Sequence, residues 1–321
     1  MEGAEMERAL VTGGAGFIAS HIVDSVLSKM EVVVLDDLSS GSVDNLERAS
    51  EHPNFSLVNG SIVSEQDVDS AISGCCIVYH FAAQPDVQVS LKQPYLDFKT
   101  NVDGSLVVLE SMRKHDVTQI VFASSGGTVY GESPIMPTPE STPFRPISNY
   151  GAAKAAVEMY LSSYCHLYGF SVTSMRMANV VGPRSRHGVL FDFYNKLKRN
   201  PSRLEVLGTG AQTKAYIAVE DVVRAAMVLA NAGLSGFTPV NVASGELLRV
   251  SRIAEIVVEE LGVPSAQIEY TGSERGWAGD VIQTDLDISL LRSLGWNPEV
   301  AVEDAVRSNL RWFVDRFGGV S

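Results

Sequence analysis

Short apolar runs alternate along the first half of the chain with stretches in which apolar residues recur at helical spacing. The run 32–35 is apolar at every position, as in a strand that is covered on both faces of a sheet. Strands are predicted at 8–12, 32–35, 55–58, 77–81, 120–123 and 172–177, and helices at 15–30, 64–73, 95–115 and 150–168. Because such alternation builds βαβ units, the pattern predicts an α/β fold of the Rossmann type, with a doubly wound parallel sheet.

The pattern becomes less regular after Asn179. A loop at 182–188 precedes predicted helices at 190–199, 250–261 and 302–317, a helix that runs through Ala232, and strands at 204–207 and just before Val219. We expect residues 1–178 to form the main domain. Residues 179–321 are expected to form mainly a smaller C-terminal α/β substrate lobe over the carboxyl edge of the sheet, with some segments returning to that sheet.

Composition and charge narrow the class of protein. The chain has 321 residues, 45% hydrophobic and 20% charged, which is typical of a globular protein with a large core. A net charge of −13 argues against nucleic acid or an anionic membrane as a partner. The polar, acidic start is unlike a signal peptide, and no apolar stretch approaches the roughly 20 residues that span a bilayer. A cytoplasmic location is therefore expected.

The cysteines and histidines indicate neither a disulfide framework nor a metal site. The three cysteines are Cys75, Cys76 and Cys165, and the first two lie in an apolar run that predicts a buried strand. An odd number of cysteines in such a setting is typical of a reducing compartment. The six histidines are scattered without the spacing of metal ligands, so no metal is expected.

A glycine-rich turn follows the first predicted strand and opens the first predicted helix. In the segment 12–19, TGGAGFIA, Gly13, Gly16 and Ala19 occupy the three small positions of a dinucleotide-binding fingerprint. The first permits a tight turn, the second lets the backbone approach a pyrophosphate, and the third lets the helix pack closely on the strand. The flanking strand and helix supply the context that the fingerprint requires.

Asp36 closes the second predicted strand. A carboxylate at this place accepts hydrogen bonds from the ribose hydroxyls of NAD and repels the 2′-phosphate of NADP. No Arg or Lys occurs between Val32 and Leu46. The alternative, in which Asp36 only caps a turn, does not explain the glycine fingerprint before it. The sequence therefore predicts that residues 1–178 are an NAD-binding Rossmann domain.

Tyr150 and Lys154 lie four residues apart in a predicted helix, so they share one face. The Lys154 ammonium is expected to lower the pKa of the Tyr150 phenol from its usual value of about 10, and a bound nicotinamide cation would act in the same direction. The resulting tyrosinate can take a proton from a sugar or alcohol hydroxyl. The alternative is a helix face without chemistry, which the preceding dinucleotide fingerprint disfavours.

Over nearly its whole length the chain resembles the extended short-chain dehydrogenase/reductase family, and within it the UDP-glucose (UDP-galactose) 4-epimerase branch. The landmarks are TGGAGFI at 12–18, LDDLSSG at 35–41, HFAA at 80–83, NVDG at 101–104, VYG at 129–131, YGAAK at 150–154 and RMANVVGPR at 176–184. RGWAGD at 275–280 and LGWNP at 294–298 resemble the C-terminal signature of the family.

The resemblance implies NAD as the cofactor and a set of residues that contact it. They are Gly13, Gly16, Phe17, Ile18, Asp36, Asp37, Leu38, Ser39, Ser40, Gly41, Ser61, Ile62, Phe81, Ala82, Ala83, Asn101, Ser124, Tyr150, Lys154 and Met177. It also implies a homodimer that forms through the helices at 95–115 and 150–168. Those stretches carry more apolar residues than one core-facing stripe requires: Val107, Val108, Leu109, Met159 and Leu161.

The substrate implied by the resemblance is a UDP-sugar. The expected contacts are Gln84, Ser125, Tyr150, Asn179, Arg184, His187, Leu204, Val206, Lys214, Tyr216, Arg275, Asp280 and Thr284. Lys214 stands where the family usually has Arg, so charge is kept but the bidentate fork is lost. Trp277 stands at the family's later phosphate arginine, and Arg275 lies two residues earlier.

Thr284 is the fourth residue after Asp280. In relatives of this branch that position lies beside the C2 substituent of the sugar, where a bulky Tyr restricts the substrate to plain hexoses. The smaller Thr side chain predicts that UDP-N-acetylhexosamines are tolerated beside UDP-glucose and UDP-galactose.

The family's catalytic Ser or Thr lies three residues after a strand Phe and four before the Tyr of the VYG motif. Here the segment 122–131 is one residue too long, so counting from Phe122 gives Ser125 and counting from Tyr130 gives Gly126. The end of a strand fixes position better than a glycine pair does. Ser125 is therefore the predicted catalytic hydroxyl, with Ser124 and Thr128 as alternatives.

Three reaction classes fit this scaffold. One is an NAD-dependent nucleotide-sugar 4-epimerase that works through a transient 4-keto sugar, with Tyr150 as acid and base. Another is a dehydratase or decarboxylase, which by resemblance places an acid where this chain has Gly126, Gly127 and Thr128. The third is a non-catalytic NAD-sensing protein, but such relatives lose the Tyr or the Lys. The sequence favours the epimerase, with UDP-glucose and UDP-galactose as the expected pair, and leaves the exact sugar, the nucleotide and the physiological direction open.

Overall fold

The computed structural model describes residues 6–272, 279 and 281–320. In these residues the strands are β1 Arg8–Thr12, β2 Glu31–Asp36, β3 Phe55–Asn59, β4 Ile77–His80, β5 Gln119–Ser125, β6 Ser171–Met177, β7 Asn179–Val181, β8 Arg203–Val206, β9 Thr213–Ala218, β10 Gly236–Val242, β11 Leu247–Arg249 and β12 Gln267–Tyr270.

The helices of the same residues are α1 Phe17–Val26, α2 Glu47–Ser50, α3 Glu65–Ile72, α4 Val87–Lys92, α5 Pro94–Phe98, α6 Gly104–Lys114, α7 Gly126–Val129, α8 Asn149–Tyr168, α9 Gly188–Arg199, α10 Val219–Asn231, α11 Val250–Glu260, α12 Ser289–Ser293 and α13 Val302–Phe317. A 3₁₀ turn covers Val43–Leu46 and a π-helical turn covers Lys99–Asp103. No helix in this part of the chain is both long and apolar enough to cross a membrane.

Seven parallel strands form the main sheet in the order β10–β6–β5–β4–β1–β2–β3. The chain builds outwards from β1 to β3, then crosses back to place β4 on the other side of β1. This reversal creates a crevice at the carboxyl ends of β1 and β4, where Thr12 pairs with His80 in register. Ligands of doubly wound sheets bind in such crevices.

Helices cover both faces of the sheet, and most residues of its inner strands are buried. One core contains Ile22 of α1 and Ala225 of α10, and the other contains Leu109 of α6 and Leu161 of α8. The two cores hold the strands from both faces, and the carboxyl ends of these strands carry the candidate site.

The start of α8 is set by its sequence. The Ser148 hydroxyl accepts a hydrogen bond from the Gly151 amide at 3.1 Å, which caps the helix. Gly169, at φ 71°, ends it in the left-handed conformation that glycine favours. This cap places Tyr150 in the first turn of α8 and Lys154 one turn further along.

A second, smaller core lies in the C-terminal half. The three-stranded sheet β11–β9–β7 and the pair β12–β8 pack with α9, α11 and α13 around a core that includes Tyr194, Leu204, Ile256 and Phe313. Strand β10 from the same half of the sequence instead pairs with β6 along Gly236–Val242.

Three local predictions were wrong. The predicted helix at 95–115 is divided into α5, the π-helical turn and α6. The first helix covers 17–26 rather than 15–30, because Ala15 and Gly16 belong to the glycine turn. Cys75 and Cys76 precede β4 instead of lying in it, and Cys76 is exposed.

Candidate active site

The glycine turn forms a cradle that only a residue without a side chain can build. Gly13 has φ 70°, and a Cβ atom there would lie 2.7 Å from the backbone nitrogen of Ala82. The Gly16 amide donates to the Gly13 carbonyl at 2.9 Å, and no side chain caps the helix that follows. The first amides of an α-helix have no partner within the helix, so the start of α1 can bind a pyrophosphate.

Asp36 fastens the loop after β2 to the glycine turn. Its carboxylate accepts hydrogen bonds from the amides of Ala15 at 2.9 Å and Leu38 at 2.8 Å. Burial raises the pKa of this carboxyl, and the two amide bonds oppose the rise. Each carboxylate oxygen accepts more than one hydrogen bond, so Asp36 can hold the loop and still accept ribose hydroxyls. These residues fit the adenosine half of NAD.

The rest of the 38–45 loop closes over the same turn. Leu38 adopts a left-handed backbone conformation at φ 59°, and a Cβ atom on Gly41 would lie 2.9 Å from the Ala15 backbone. The Ser42 amide and the Asn45 side chain both donate to the Ala15 carbonyl, at 3.0 and 2.9 Å. The loop with the predicted contacts Asp37, Leu38, Ser39, Ser40 and Gly41 thus lies beside the cradle.

A buried chain of hydrogen bonds links the cradle to the helical segment that carries Asn101. The Ala82 amide donates to the Thr12 hydroxyl at 3.2 Å, which lies 2.7 Å from His80 Nδ1. His80 Nε2 lies 2.9 Å from the Ser105 hydroxyl, which donates to the Asn101 carbonyl at 2.6 Å. This direction requires a neutral His80 with its proton on Nε2. Burial, and secondarily the Lys154 charge, lowers the pKa of His80 to about 3, which keeps it neutral.

Lys154 is 3% exposed and lies under the end of β5. Its ammonium donates to the Ala123 carbonyl at 2.9 Å and lies 4.9 Å from the centre of the Phe122 ring and 5.8 Å from that of Tyr150. The Tyr150 amide is held by the Ser90 hydroxyl at 3.1 Å. The predicted pair is therefore brought together at the carboxyl edge of the sheet, next to the strand that ends in Ser125.

The expectation that Lys154 by itself lowers the pKa of Tyr150 was wrong. Burial raises the pKa of the Tyr150 phenol above its usual value, and the Asp97 charge raises it further. Burial also lowers the pKa of Lys154 to about 8, while the charges of Asp97 and Glu158 oppose that fall. The Lys154 charge does not offset the loss of water around the phenol. A positive charge on a nicotinamide bound nearby would favour the tyrosinate.

The three candidate hydroxyls near the end of β5 have different surroundings. Ser124 is buried and donates to a Glu158 carboxylate oxygen at 2.5 Å. Thr128 donates to the Ser125 carbonyl at 3.5 Å. Ser125 is half-buried, ends the strand and directly precedes α7. Because the Ser124 hydroxyl donates its hydrogen bond to Glu158, Ser125 remains the predicted catalytic hydroxyl.

Alanine variants of these residues are expected to separate their roles. Ser125→Ala should lower kcat by roughly 10²-fold, as for the loss of one hydrogen-bond donor to a reacting oxygen. Thr128→Ala should remain near the parent rate. Ser124→Ala should mainly lower the free energy of unfolding, by about 1–3 kcal/mol, because Glu158 loses a buried partner. Steady-state kinetics and urea unfolding give the ranking. A larger kcat loss in Thr128→Ala than in Ser125→Ala would refute the assignment.

Behind this strand lies a buried polar network that the sequence did not predict. Arg176 forms a salt bridge with Glu158 at 2.8 Å and donates to the Tyr130 hydroxyl, also at 2.8 Å. That hydroxyl donates to the Asn241 side chain at 2.9 Å. The only signals in the sequence were the landmarks VYG and RMANVVGPR, which contain Tyr130 and Arg176. The network fixes β5, β6 and β10 next to the site.

Other predicted cofactor contacts surround the crevice. Phe17 starts α1, while Ser61 and the buried Ile62 follow β3. The Ser61 hydroxyl donates to Asp37 at 3.4 Å. The remaining candidates are Ile18 in α1, Phe81, Ala82 and Ala83 after β4, and Met177 at the end of β6. Their contact with NAD remains a prediction.

The loop of Arg184 and His187 is attached to α1. Arg184 forms a salt bridge with Asp24 at 2.8 Å, and the His187 ring lies edge-on to Phe17 at 6.2 Å between centroids. His21 Nε2 lies 3.0 Å from the Pro183 carbonyl. Arg184 thus joins the loop to α1 through Asp24. His187 contacts Phe17, the first residue of α1.

The remaining substrate candidates lie on the C-terminal strands. Asn179 donates to the Ala215 carbonyl at 3.1 Å, and the Thr284 hydroxyl accepts from the Ala215 amide at 3.2 Å, next to Lys214. The side chains of Leu204, Val206 and Tyr216 lie in the core of the lobe, so the two aliphatic ones offer a ligand only their backbone. Arg275, Trp277 and Asp280 lie outside the described residues.

Comparisons with known proteins agree with this geometry. Residues 9–243 match the NAD dependent epimerase/dehydratase family. A putative UDP-glucose 4-epimerase of Methanocaldococcus jannaschii is 36% identical over 94% of this chain and 97% of its own. The UDP-glucose 4-epimerase of Thermotoga maritima, solved with UDP-glucose, superimposes with a TM-score of 0.88 at 35% identity, over 96% of this chain and 99% of its own.

Two further relatives define the cofactor and the range of reactions. The UDP-glucose 4-epimerase of Thermus thermophilus, solved with NAD, has a TM-score of 0.85 at 33% identity, over 96% of this chain and 99% of its own. The dTDP-D-glucose 4,6-dehydratase of Mus musculus is 29% identical over 98% of this chain and 91% of its own. Epimerases and dehydratases are thus both similar to this chain.

Proposed function

This chain belongs to the NAD-dependent epimerase/dehydratase family and uses NAD, and we propose that it is a UDP-sugar 4-epimerase that interconverts UDP-glucose and UDP-galactose. The support is the pairing of Tyr150 with Lys154 beside the cofactor cradle, together with the absence of an acid immediately after Ser125. The first feature is common to the family. The second separates the epimerase from the dehydratase.

The segment after Ser125 is the observation that carries the proposal. Gly126 packs against Leu286, where a Cβ atom would lie 2.6 Å from a side-chain carbon. A Cβ atom on Gly127 would meet nothing within 4 Å, so the place of a second acid is open space. The nearby buried Glu158 is locked to Arg176. A dehydratase needs a group that protonates or deprotonates carbon or the leaving hydroxyl, whereas an epimerase needs only an acid/base for the C4 oxygen.

In the proposed reaction Tyr150 removes the proton from the sugar 4-hydroxyl while the C4–H bond breaks and a C4 carbonyl forms. NAD, when bound, accepts the hydride from C4 and returns it. Tyr150 then gives the proton back to the same oxygen after the keto-sugar has presented its other face. Lys154 holds a positive charge beside the phenol, and Ser125 donates a hydrogen bond to the C4 oxygen, where negative charge develops.

The proposal is tested by incubating the purified protein with UDP-glucose, UDP-galactose and dTDP-glucose and separating the products. Conversion of UDP-galactose to UDP-glucose without loss of water supports the epimerase. Formation of a 4-keto-6-deoxy sugar would instead assign the chain to the dehydratases and overturn the proposal.

Thr284 is proposed to set the space around the sugar C2 substituent. It is buried and, with Gly126, Tyr130 and Gln283, lines a small cavity behind the end of β5. Thr284→Tyr should lower turnover of UDP-N-acetylglucosamine by at least roughly tenfold while UDP-galactose turnover is kept, because a phenol fills the space. Thr284→Val, which keeps the volume, should retain both activities. A wild-type protein without any N-acetylhexosamine turnover would exclude this role.

We also propose a homodimer that forms through α5, α6 and α8. Most of the apolar residues predicted to lie at its surface are instead buried in the core. Val108, Leu109 and Leu161 lie in the core and Val107 packs against it, whereas Met159 is exposed. The exposed apolar residues of these helices include Tyr95, at 89% exposure, with Phe98 and Leu167. Such a surface is typical of one that a second copy covers.

Sedimentation velocity at micromolar concentration should therefore show a dimer. The double variant Tyr95→Glu/Met159→Glu should shift the protein to the monomer, because it places charge on both helices of the apolar surface. Ile135→Glu changes an exposed apolar residue outside these helices and should leave the dimer intact. A monomeric wild type would contradict the dimer.

A further inference from the structure

A buried carboxylate beside Tyr150 and Lys154 has no part in the reaction described above. Asp97, on α5, is 1% exposed. Helix α5 packs against α8, which carries the catalytic pair, and continues into the π-helical turn that contains Asn101. Burying an acid costs free energy unless hydrogen bonds or a partner charge offset it. The groups around Asp97 therefore indicate its role.

One oxygen of Asp97 holds two side-chain amides in place. It accepts hydrogen bonds from Gln84 at 3.1 Å and from Asn101 at 3.0 Å. These two residues are also joined directly, since the backbone amide of Gln84 donates to Asn101 Oδ1 at 2.8 Å and Asn101 Nδ2 donates to the backbone carbonyl of Gln84 at 3.2 Å. The carboxylate thus determines which end of each amide turns towards it. It fixes the loop after β4 against the π-helical turn.

The charge of Asp97 also affects the pKa values of Tyr150 and Lys154. Its negative charge raises the pKa of Tyr150 and opposes the fall in the pKa of Lys154. Burial raises the pKa of Asp97 itself, and the hydrogen bonds from Gln84 and Asn101 and the Lys154 charge oppose that rise. Among described residues, the other titratable groups that face Lys154 are Glu158 and His80. Glu158 is held by Arg176, and His80 is neutral. Of the two carboxylates, only that of Asp97 changes the pKa of both Tyr150 and Lys154. Its hydrogen bonds described above come from neutral amides, whereas those of Glu158 include Arg176.

We propose that Asp97 is a positioning residue that holds Gln84 and Asn101 beside the Tyr150–Lys154 pair and places a carboxylate charge near both members of the pair. Its effect on catalysis rests on the proposed function, whereas its effect on Tyr150 does not. Asp97→Asn separates the two contributions. Because a single oxygen accepts both hydrogen bonds, an amide oxygen can replace it while the charge is lost.

The test is an ultraviolet titration of tyrosinate in the NAD-loaded protein. The signal of Tyr150 is the difference between each protein and the same protein with Tyr150→Phe. Asp97→Asn should lower the pKa of Tyr150 by roughly 0.5 to 1 pH unit, since a nearby negative charge has been removed. Asp103→Asn is the matched control, because Asp103 lies in the adjoining π-helical turn and is exposed. It should leave the titration unchanged.

Asp97→Leu removes the hydrogen bonds as well as the charge. It should show the same change in the Tyr150 titration and, in addition, a fall of at least roughly tenfold in kcat, because Gln84 and Asn101 are no longer held. Should Asp97→Asn fail to fold, Asp97→Ser, which keeps a hydroxyl acceptor, takes its place in the titration. If Tyr150 in Asp97→Asn, or in Asp97→Ser used in its place, titrated with the same pKa as in Asp103→Asn, the inference would be overturned. A wild-type protein without epimerase activity would overturn only the proposed function, since the titration needs no turnover.

Discussion

Replacing Tyr150 with Phe is expected to lower kcat for UDP-galactose by at least roughly 10²-fold, within the range typical for loss of a general acid/base. The aromatic ring remains, and the hydrogen bond from its backbone amide to Ser90 is unaffected. The fold and the bound NAD should therefore be retained. The measurement is steady-state turnover together with the amount of NAD released on heat denaturation.

Tyr160→Phe is the matched control for this variant. Tyr160 lies on the same helix ten residues further along and is 44% exposed, so its hydroxyl is outside the site. Its turnover should equal that of the wild type. If Tyr150→Phe retained NAD and turned over at a near-normal rate, Tyr150 would not be the acid/base.

Lys154→Met is expected to lower kcat by a similar or larger factor and yet to stabilise the fold at neutral pH. The variant removes the positive charge beside Tyr150, so the phenol is harder to ionise. It also removes a buried charge. The fall in the pKa of Lys154 from 10.5 to about 8 corresponds to an unfavourable free energy of roughly 3 kcal/mol in the folded protein.

The sign of the pH dependence follows from this lowered pKa. Below pH 8 both the folded and the unfolded chain carry the proton on Lys154, and the full cost of burying the charge is present. Between about pH 8 and 10.5 only the unfolded chain keeps the proton, so this group makes the folded state more stable as pH rises. Urea unfolding of wild type and Lys154→Met should therefore differ most at neutral pH and converge towards pH 10.

Lys29→Met is the control for the loss of a lysine, because Lys29 is exposed. It should change neither turnover nor the pH dependence of unfolding. A Lys154→Met variant with unchanged turnover, or one whose free energy of unfolding falls strongly at neutral pH, would show that the ammonium is not held in the way described.

The parts of the site that the sequence predicted depend on local geometry. Gly13 was indicated by the short turn between β1 and α1, Asp36 by its place at the end of a strand, and the Tyr150–Lys154 pair by its spacing within one helix. The period of apolar residues likewise predicted the strands of the main sheet from β1 to β6. In each case the physical constraint acts between residues close in sequence, so a single chain displays it.

The parts that the sequence did not predict depend on residues that meet only in the folded chain. Asp97 reaches Gln84 across the loop after β4, and Arg176 reaches Glu158 between a strand and a helix. The direction of the Tyr150 pKa depends on burial and on Asp97, neither of which the Tyr-x-x-x-Lys spacing reveals. The sequence predicted that some C-terminal segments return to the main sheet, but not that the segment doing so is β10, which pairs with β6.

The most direct test of the proposed reaction follows a deuterium label at C4 of UDP-galactose. In ordinary water, without added NAD, the purified protein should produce UDP-glucose that carries the deuterium at C4, because the hydrogen leaves and returns as hydride within one site. Product in which this deuterium is replaced by hydrogen from water, or a product deoxygenated at C6, would contradict the account.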